Sequence, residues 1–159
     1  MYPDAVAIDC TVSVTLTVIG APGAGACPAL DRELAGVRYL GSQPHSAVLR
    51  EMSQHDVLVF PTLFEGFGLV MLEAMSQGLV VIATGNSGAP EIITDGVNGY
   101  VIPIRSVQAL VDRLETLAKD RSRLQEMGNA ALATARRLSW AAYRRGLIEL
   151  VAPGALATP

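Results

Sequence analysis

Five short apolar runs, each closed by glycine or proline, constrain this chain more than any other feature. Val12 to Ile19 is mostly β-branched and ends at Gly20-Ala21-Pro22-Gly23. Val37-Arg38-Tyr39-Leu40 stops at Gly41, Val57-Leu58-Val59-Phe60 at Pro61, Leu79-Val80-Val81-Ile82-Ala83 ahead of Gly85, and Tyr100-Val101-Ile102 at Pro103. Runs of this length with bounding turn residues read as β-strands. Helical patterns lie between them, over Ser46 to Met52 and Gly68 to Gln77, with a short turn around Ala89 to Ile93. Strands alternating with helices predict an α/β fold, a parallel sheet with helices on both faces. The near-continuous apolar character of the first run predicts a strand covered on both sides.

Beyond Pro103 the pattern becomes helical. Val107, Leu110, Val111, Leu114 and Leu117 recur at helical spacing behind Ser106, a good N-cap. A second helix is expected from about Arg121 to Arg137, and a third from the N-cap Ser139 through Trp140 to about Val151, leaving Pro153 to Pro159 as a frayed tail. Trp140 reads as a packing anchor. No repeat or linker divides residues 1–159, so a single domain is expected, and 50% hydrophobic residues suffice to bury one core.

Composition excludes several function classes. No stretch reaches the ~18 uninterrupted apolar residues of a membrane span. Twelve Lys and Arg against 15 Asp and Glu leave a net charge of −3, and only 5% of residues are aromatic, so neither a basic surface nor a row of stacking rings is available for nucleic acid. Cys10 and Cys27 stand apart from any metal-ligand spacing and read as free thiols in a reducing compartment. Met1-Tyr2-Pro3-Asp4 lacks the basic start of a signal peptide, so a cytoplasmic location is expected.

The chemistry is concentrated in Phe60-Pro61-Thr62-Leu63-Phe64-Glu65-Gly66-Phe67-Gly68-Leu69-Val70-Met71-Leu72-Glu73-Ala74-Met75. A buried strand ends at Phe60, a loop carries Glu65 with two glycines, and a helix begins near Gly68. That order places backbone N–H groups and the positive end of a helix dipole at the carboxyl edge of a parallel sheet, where anionic ligands bind. Gly66 and Gly68 lack a Cβ and let a ligand approach the backbone. Glu73 is the lone carboxylate on a helix that is otherwise nearly all apolar, so it must reach a cleft or be paired. Two adjacent ribose hydroxyls would serve as partners, since a carboxylate has several lone pairs. A salt bridge from Glu73 to a nearby Arg, with Glu65 as a solvated loop residue, is the plain alternative.

Glu65 and Glu73 form an E-x7-E arrangement, and their surroundings resemble the donor-binding domain of the retaining glycosyltransferases of family 4, also called group 1. The likeness runs in order through Val18-Ile19-Gly20, Val37-Arg38-Tyr39-Leu40-Gly41, Gly78 to Thr84, Gly88-Ala89-Pro90-Glu91-Ile92-Ile93, Asp95 to Tyr100 and Leu138-Ser139-Trp140. It covers about Val12 to Leu150. The resemblance implies the C-terminal, Rossmann-like half of a GT-B fold that binds a nucleoside diphosphate sugar, UDP- or GDP-linked. It further implies that Glu73 holds the ribose and that Glu65, the catalytic candidate, faces the hydroxyls of the transferred sugar. Gly66, Phe67, Gly68, Leu69 and Val70 would meet the sugar and diphosphate, and the base would sit near Gly41, Ser42 and Gln43.

The resemblance has gaps. The family's Arg and Lys that neutralise the diphosphate should precede Val12, yet Met1 to Thr11 contains neither residue. The acceptor-binding half lacks a counterpart too. The expectation is therefore a fragment, inactive alone, whose unmet face could self-associate. A non-catalytic nucleotide-sugar module working with a partner chain is the alternative. A dinucleotide fingerprint is a third reading, but Gly20, Gly23 and Gly25 are not spaced G-x-G-x-x-G, and no clean helix is expected after them. With no Asp-x-Asp motif, no metal and no resident cofactor are expected. His45 and His55 read as surface residues, and Arg136-Arg137 and Arg144-Arg145 as solvated helix faces.

Overall fold

The computed structural model describes residues 14–21 and 27–152. The elements run β1 (Thr17–Val18), α1 (Pro28–Ala35), β2 (Arg38–Tyr39), α2 (His45–Met52), β3 (Val57–Phe60), α3 (Leu69–Ser76), β4 (Val80–Thr84), α4 (Ala89–Ile92), β5 (Gly99–Ile102), α5 (Val107–Lys119), α6 (Arg121–Arg137) and α7 (Trp140–Val151). The expected alternation of strand and helix is present, and every strand pairing is parallel.

The core is built around β4, which lies between β3 and β5 and is buried at every residue. Successive side chains leave a strand on opposite faces. Val81 and Ala83 enter one apolar cluster with Met71, Ala74 and Met75 of α3 and Ile92 of α4, while Val80 and Ile82 enter another with Tyr100, Ile102, Leu117 and Leu124. The sheet is thus covered on both faces, as continuous apolar runs require. Helix α6 serves both sides, placing Leu124 and Met127 in the second cluster and Ala131 in the first. Its passage depends on Gly128, since a Cβ there would lie 2.6 Å from the carbonyl oxygen of Gly78. The buried Asn98 is fully engaged: its amide donates to the Ile92 carbonyl and to Thr134 Oγ1, each at 3.0 Å, and its oxygen accepts from the Thr94 N–H at 2.8 Å.

The predicted caps are in place. Ser106 accepts from the Ala109 N–H at 3.3 Å and Ser139 from the Ala142 N–H at 3.2 Å. Asp120 caps α6 at 3.0 Å from the Arg123 N–H. That backbone hydrogen bond, followed by one from the Ser122 hydroxyl, holds its carboxyl below the ordinary aspartate range.

The first apolar run departs from expectation. Only Thr17 and Val18 form a strand, paired with β2 in a ladder separate from β3–β4–β5. Val14 and Leu16 are more than half exposed rather than covered, and Val12 lies outside the described residues. Among the described residues, neither apolar cluster reaches this run. A helix, α1, does follow the glycines, contrary to the reading above; it opens with Pro28, a residue favoured at a helix start, and buries none of its side chains. Polar bonds hold this ladder to the body. Arg38 grips both oxygens of Glu51 at 2.6 and 3.0 Å, and this hydrogen bond keeps the Glu51 carboxyl below its ordinary range. His55 is half-buried rather than a free surface residue: Nδ1–H donates to the Glu51 carbonyl at 2.7 Å and Nε2 lies 2.9 Å from Thr17 Oγ1.

Trp140 is likewise no packing anchor. It is 67% exposed and pairs with the Tyr143 ring in a T-shaped arrangement, with centroids 5.8 Å apart, on a helix that buries none of its residues. Helical spacing shows which residues share a face, and says nothing of what meets that face. Arg136, Arg137, Arg144 and Arg145 are exposed as expected. The free thiol of Cys27 is exposed, while Cys10 and the expected frayed tail lie outside the described residues. Among the described residues no helix is long and apolar enough to cross a membrane.

Candidate functional site

Two loops at the carboxyl ends of β3 and β4 are laced together. Thr84 Oγ1 donates to the Thr62 carbonyl, Asn86 Nδ2 to the Leu63 carbonyl at 3.0 Å, the Glu65 N–H to the Asn86 carbonyl at 2.9 Å, and the Gly88 N–H to the Phe67 carbonyl at 3.0 Å. The Gly85-Asn86-Ser87-Gly88 loop therefore shapes the Glu65 loop. Its turn-forming composition was the only signal of that role in the sequence. A Cβ on Gly88 would come within 2.5 Å of the Phe67 ring, so the glycine is what lets the two loops close on each other.

Gly68 is needed for a reason internal to the fold. It has φ +81°, the left-handed region that favours glycine, and a Cβ there would lie 2.9 Å from Phe60 Cε1 and 3.3 Å from Glu65 Cγ. Its backbone turns the chain into α3, whose first N–H groups, at Leu69 and Val70, lack carbonyl partners within the helix. Gly66 differs, since a Cβ there would meet open space. Glu65 is half-buried and accepts a hydrogen bond from the Gly66 N–H at 2.9 Å. Four large apolar side chains stand exposed around this turn: Leu63, Phe64, Phe67 and Leu69, with Phe64 at 83%.

Glu73 sits one turn further along α3. Met71, Ala74 and Met75 take the buried face of the helix, and the Glu73 side chain remains 34% exposed. Its partner is an imidazole rather than the arginine of the plain alternative: His45 Nε2 lies 3.0 Å from Glu73 Oε1. His45, expected as a surface residue only, is exposed yet engaged. It is the first residue of α2 and follows the loop of Gly41, Ser42 and Gln43. Gly41, at φ +64°, accepts from the Gly20 N–H at 3.0 Å, and the Gln43 amide donates to the Leu40 carbonyl. Ser42 and Gln43 are exposed.

The structure thus places Glu65, Gly66, Phe67, Gly68, Leu69 and Val70 on one turn. It joins the Gly41–Gln43 loop to Glu73 through His45. No spacing rule could have found that contact, because 28 positions separate the two residues. Among the described residues no cluster of three His, Cys, Asp or Glu side chains could hold a metal ion. A separate open cavity of about 450 Å³ between α4 and the end of α6, lined by Glu91, Asn98, Thr134 and Arg137 among others, includes none of the site residues.

The family model for glycosyl transferases group 1 matches residues 12–134. The chain belongs to this family. It is 36% identical over 140 residues to the D-inositol 3-phosphate glycosyltransferase of Corynebacterium aurimucosum, an alignment covering 84% of this chain and 33% of that protein. It is 42% identical over 124 residues to a sucrose synthase of Acidithiobacillus caldus, covering 72% of this chain and 16% of that enzyme. The group 1 chain therefore spans about a third or less of these curated relatives. Among solved structures, Anabaena Alr3699/HepE in complex with UDP-glucose superposes with a TM-score of 0.75 at 24% identity, covering 86% of this chain and 40% of that one. The C-terminal domain of the group 1 protein LpcC from Francisella tularensis superposes with a TM-score of 0.61 at 26% identity, covering 69% and 60%. These superpositions show that the chain has the α/β fold of one part of the GT-B glycosyltransferases.

Proposed function

We propose that this chain is the donor-binding part of a glycosyltransferase that moves a glycosyl group, with retention, from a nucleoside diphosphate sugar to an acceptor hydroxyl. The observation that carries the reading is Glu73, a half-exposed carboxylate on an otherwise apolar helix that opens from the laced Gly66–Gly68 turn at the carboxyl ends of β3 and β4. In this reading Glu73 accepts hydrogen bonds from the ribose hydroxyls, and Glu65 faces the hydroxyls of the transferred sugar. The backbone at Gly66, Phe67 and Gly68, with the N–H groups of Leu69 and Val70, meets the diphosphate, and Gly41, Ser42 and Gln43 border the base. The helix terminus supplies roughly half an elementary charge to the leaving diphosphate, so the proposal includes no metal and no resident cofactor.

Transfer also requires an acceptor held against the donor with water excluded, and that takes a second wall to the cleft. The exposed Leu63, Phe64, Phe67 and Leu69 give the turn an apolar rim suited to such a wall. The chain by itself is therefore proposed to bind donor without transferring it, in a reducing cytoplasmic setting that suits the exposed thiol of Cys27.

Calorimetric titration with UDP and GDP is the test. Glu73→Ala loses one or two charge-assisted hydrogen bonds, each worth about 1.5–3 kcal/mol, and affinity falls by on the order of tenfold or more, equally with and without a chelator. Unchanged affinity in that variant removes the ribose role. Loss of binding on adding chelator to the unsubstituted chain removes the metal-free one.

A further inference from the structure

We infer that His45 is a positioning residue for the nucleotide: it holds the Glu73 carboxylate in the orientation that meets the ribose and couples it to the base-side loop. This rests on the reading of Glu73 as the ribose partner. An ionised carboxylate only accepts, so the 3.0 Å contact has Nε2–H donating to Glu73 Oε1. That fixes one carboxylate oxygen and leaves Oε2, with both its lone pairs, for a ligand.

The fold has little need of the bond for its own stability. The two side chains are 67% and 34% exposed, and exposed pairs of this kind contribute little. Packing of α2 on α3 is supplied elsewhere, by Met52, Val48 and Leu49 entering the cluster that holds Met71 and Met75. The placement of His45 is nonetheless well determined. Gly41 turns the chain in the left-handed region, tied to the Gly20 N–H, and the Pro44 carbonyl accepts from the N–H groups of Ala47 and Val48 at 2.8 and 3.1 Å, so α2 starts at the imidazole. A long carboxylate side chain loses rotamer freedom on binding, and a donor that holds it in place beforehand reduces that loss. Because only Pro44 separates His45 from the loop assigned to the base, the imidazole links the two ends of a nucleoside: a shift of the loop moves the donor, and with it the carboxylate.

The test uses the purified chain, titrated with UDP, or GDP where that binds more tightly, and with the 2′,3′-dideoxy form of the same diphosphate. His45→Ala should weaken the ribonucleotide by about three- to tenfold, the range expected for one hydrogen bond, with the thermal midpoint unmoved. His45→Gln, which keeps an N–H donor at the matching position, should restore most of the affinity. The loss should vanish with the dideoxy diphosphate, and also in a Glu73→Ala background, since a residue acting only through another contributes nothing once that one is gone. Equal weakening of both diphosphates, or losses that add in the double variant, would show that His45 acts on the ligand directly or on the loop alone, and would overturn the inference. If Glu73→Ala leaves affinity unchanged, the ribose reading fails and this inference with it. If Glu73→Ala weakens binding and His45→Ala does not, only this inference fails.

Discussion

β4 and β1 are drawn from similar residues, yet they end in different environments. Val80–Thr84 is buried throughout between two neighbouring strands, with an apolar cluster on each face. Among the described residues Thr17–Val18 has one neighbouring strand and half-buried side chains, and the chain just before it is exposed at Val14 and Leu16. A hydrophobic run is a demand for cover, and the demand is met only where packed helices supply it. Around β4, α3, α5 and α6 bring apolar faces; beside β1, α1 buries nothing. Among the described residues, polar bonds tie β1 and β2 to the body: the Arg38–Glu51 pair and the His55 bridge.

The sharpest way to break this comparison is to cut one side chain in each ladder. Ile82→Ala removes a fully buried side chain of β4 and should cost about 2–5 kcal/mol in urea unfolding, whereas Val18→Ala in β1 should cost less than about 1 kcal/mol. Equal costs would mean that the two ladders share one core after all. A smaller effect comes from the two left-handed glycines that flank the site. Gly41→Ala, where a Cβ meets open space, should cost only the left-handed strain of about 1–2 kcal/mol. Gly68→Ala meets the Phe60 ring as well and should cost more, with a parallel loss of nucleotide affinity because the turn that presents the Leu69 and Val70 N–H groups to the diphosphate is disturbed. An innocuous Gly68→Ala would show that the turn is looser than its hydrogen bonds indicate.

The smallest effect separates polar from apolar anchoring. The Glu51 carboxyl lies below its ordinary range because of the Arg38 hydrogen bond, and that of Asp120 because of the Arg123 N–H. For a depressed carboxyl, the stabilisation is fully present above the unfolded value and is lost as pH falls through the folded one. Acid should therefore loosen β1–β2 and the start of α6 before the interior of β4, and salt should loosen β1–β2 by screening the exposed Arg38–Glu51 pair. Hydrogen-exchange protection at the Arg38 and Leu40 amides, which donate to the Leu16 and Val18 carbonyls, reads this directly against the amides of β4. Protection at Leu40 that is indifferent to both pH and salt would refute polar anchoring.

Much of this architecture was legible beforehand because it is local. β3 follows the Val57-Leu58-Val59-Phe60 run to the residue, α6 and α7 occupy their expected spans, and Ser106 and Ser139 cap as their side-chain chemistry predicts. Helix α1 is hard to read from sequence because its eight residues follow a glycine-rich stretch and include only Leu30 and Leu34 as large apolar side chains. The turn from Glu65 to Val70 was visible as a strand, two glycines and a helix in succession. The support it receives from Asn86 and Gly88 was not, because hydrogen bonds between two loops leave no periodicity in either.

By itself, then, the order of residues determined where the strands and helices from β3 onward lie, that the strands run parallel, and that Glu65 and Glu73 bracket a glycine turn into a helix. All of these follow from interactions within a few residues, from turn chemistry, capping and side-chain period. Tertiary packing alone decided that β4 is enclosed while β1 stands half open, that Trp140 lies in solvent, and that Glu73 meets His45 instead of an arginine. Those outcomes depend on which surfaces meet once distant segments are brought together, and a run of residues specifies its own face without specifying what will cover it.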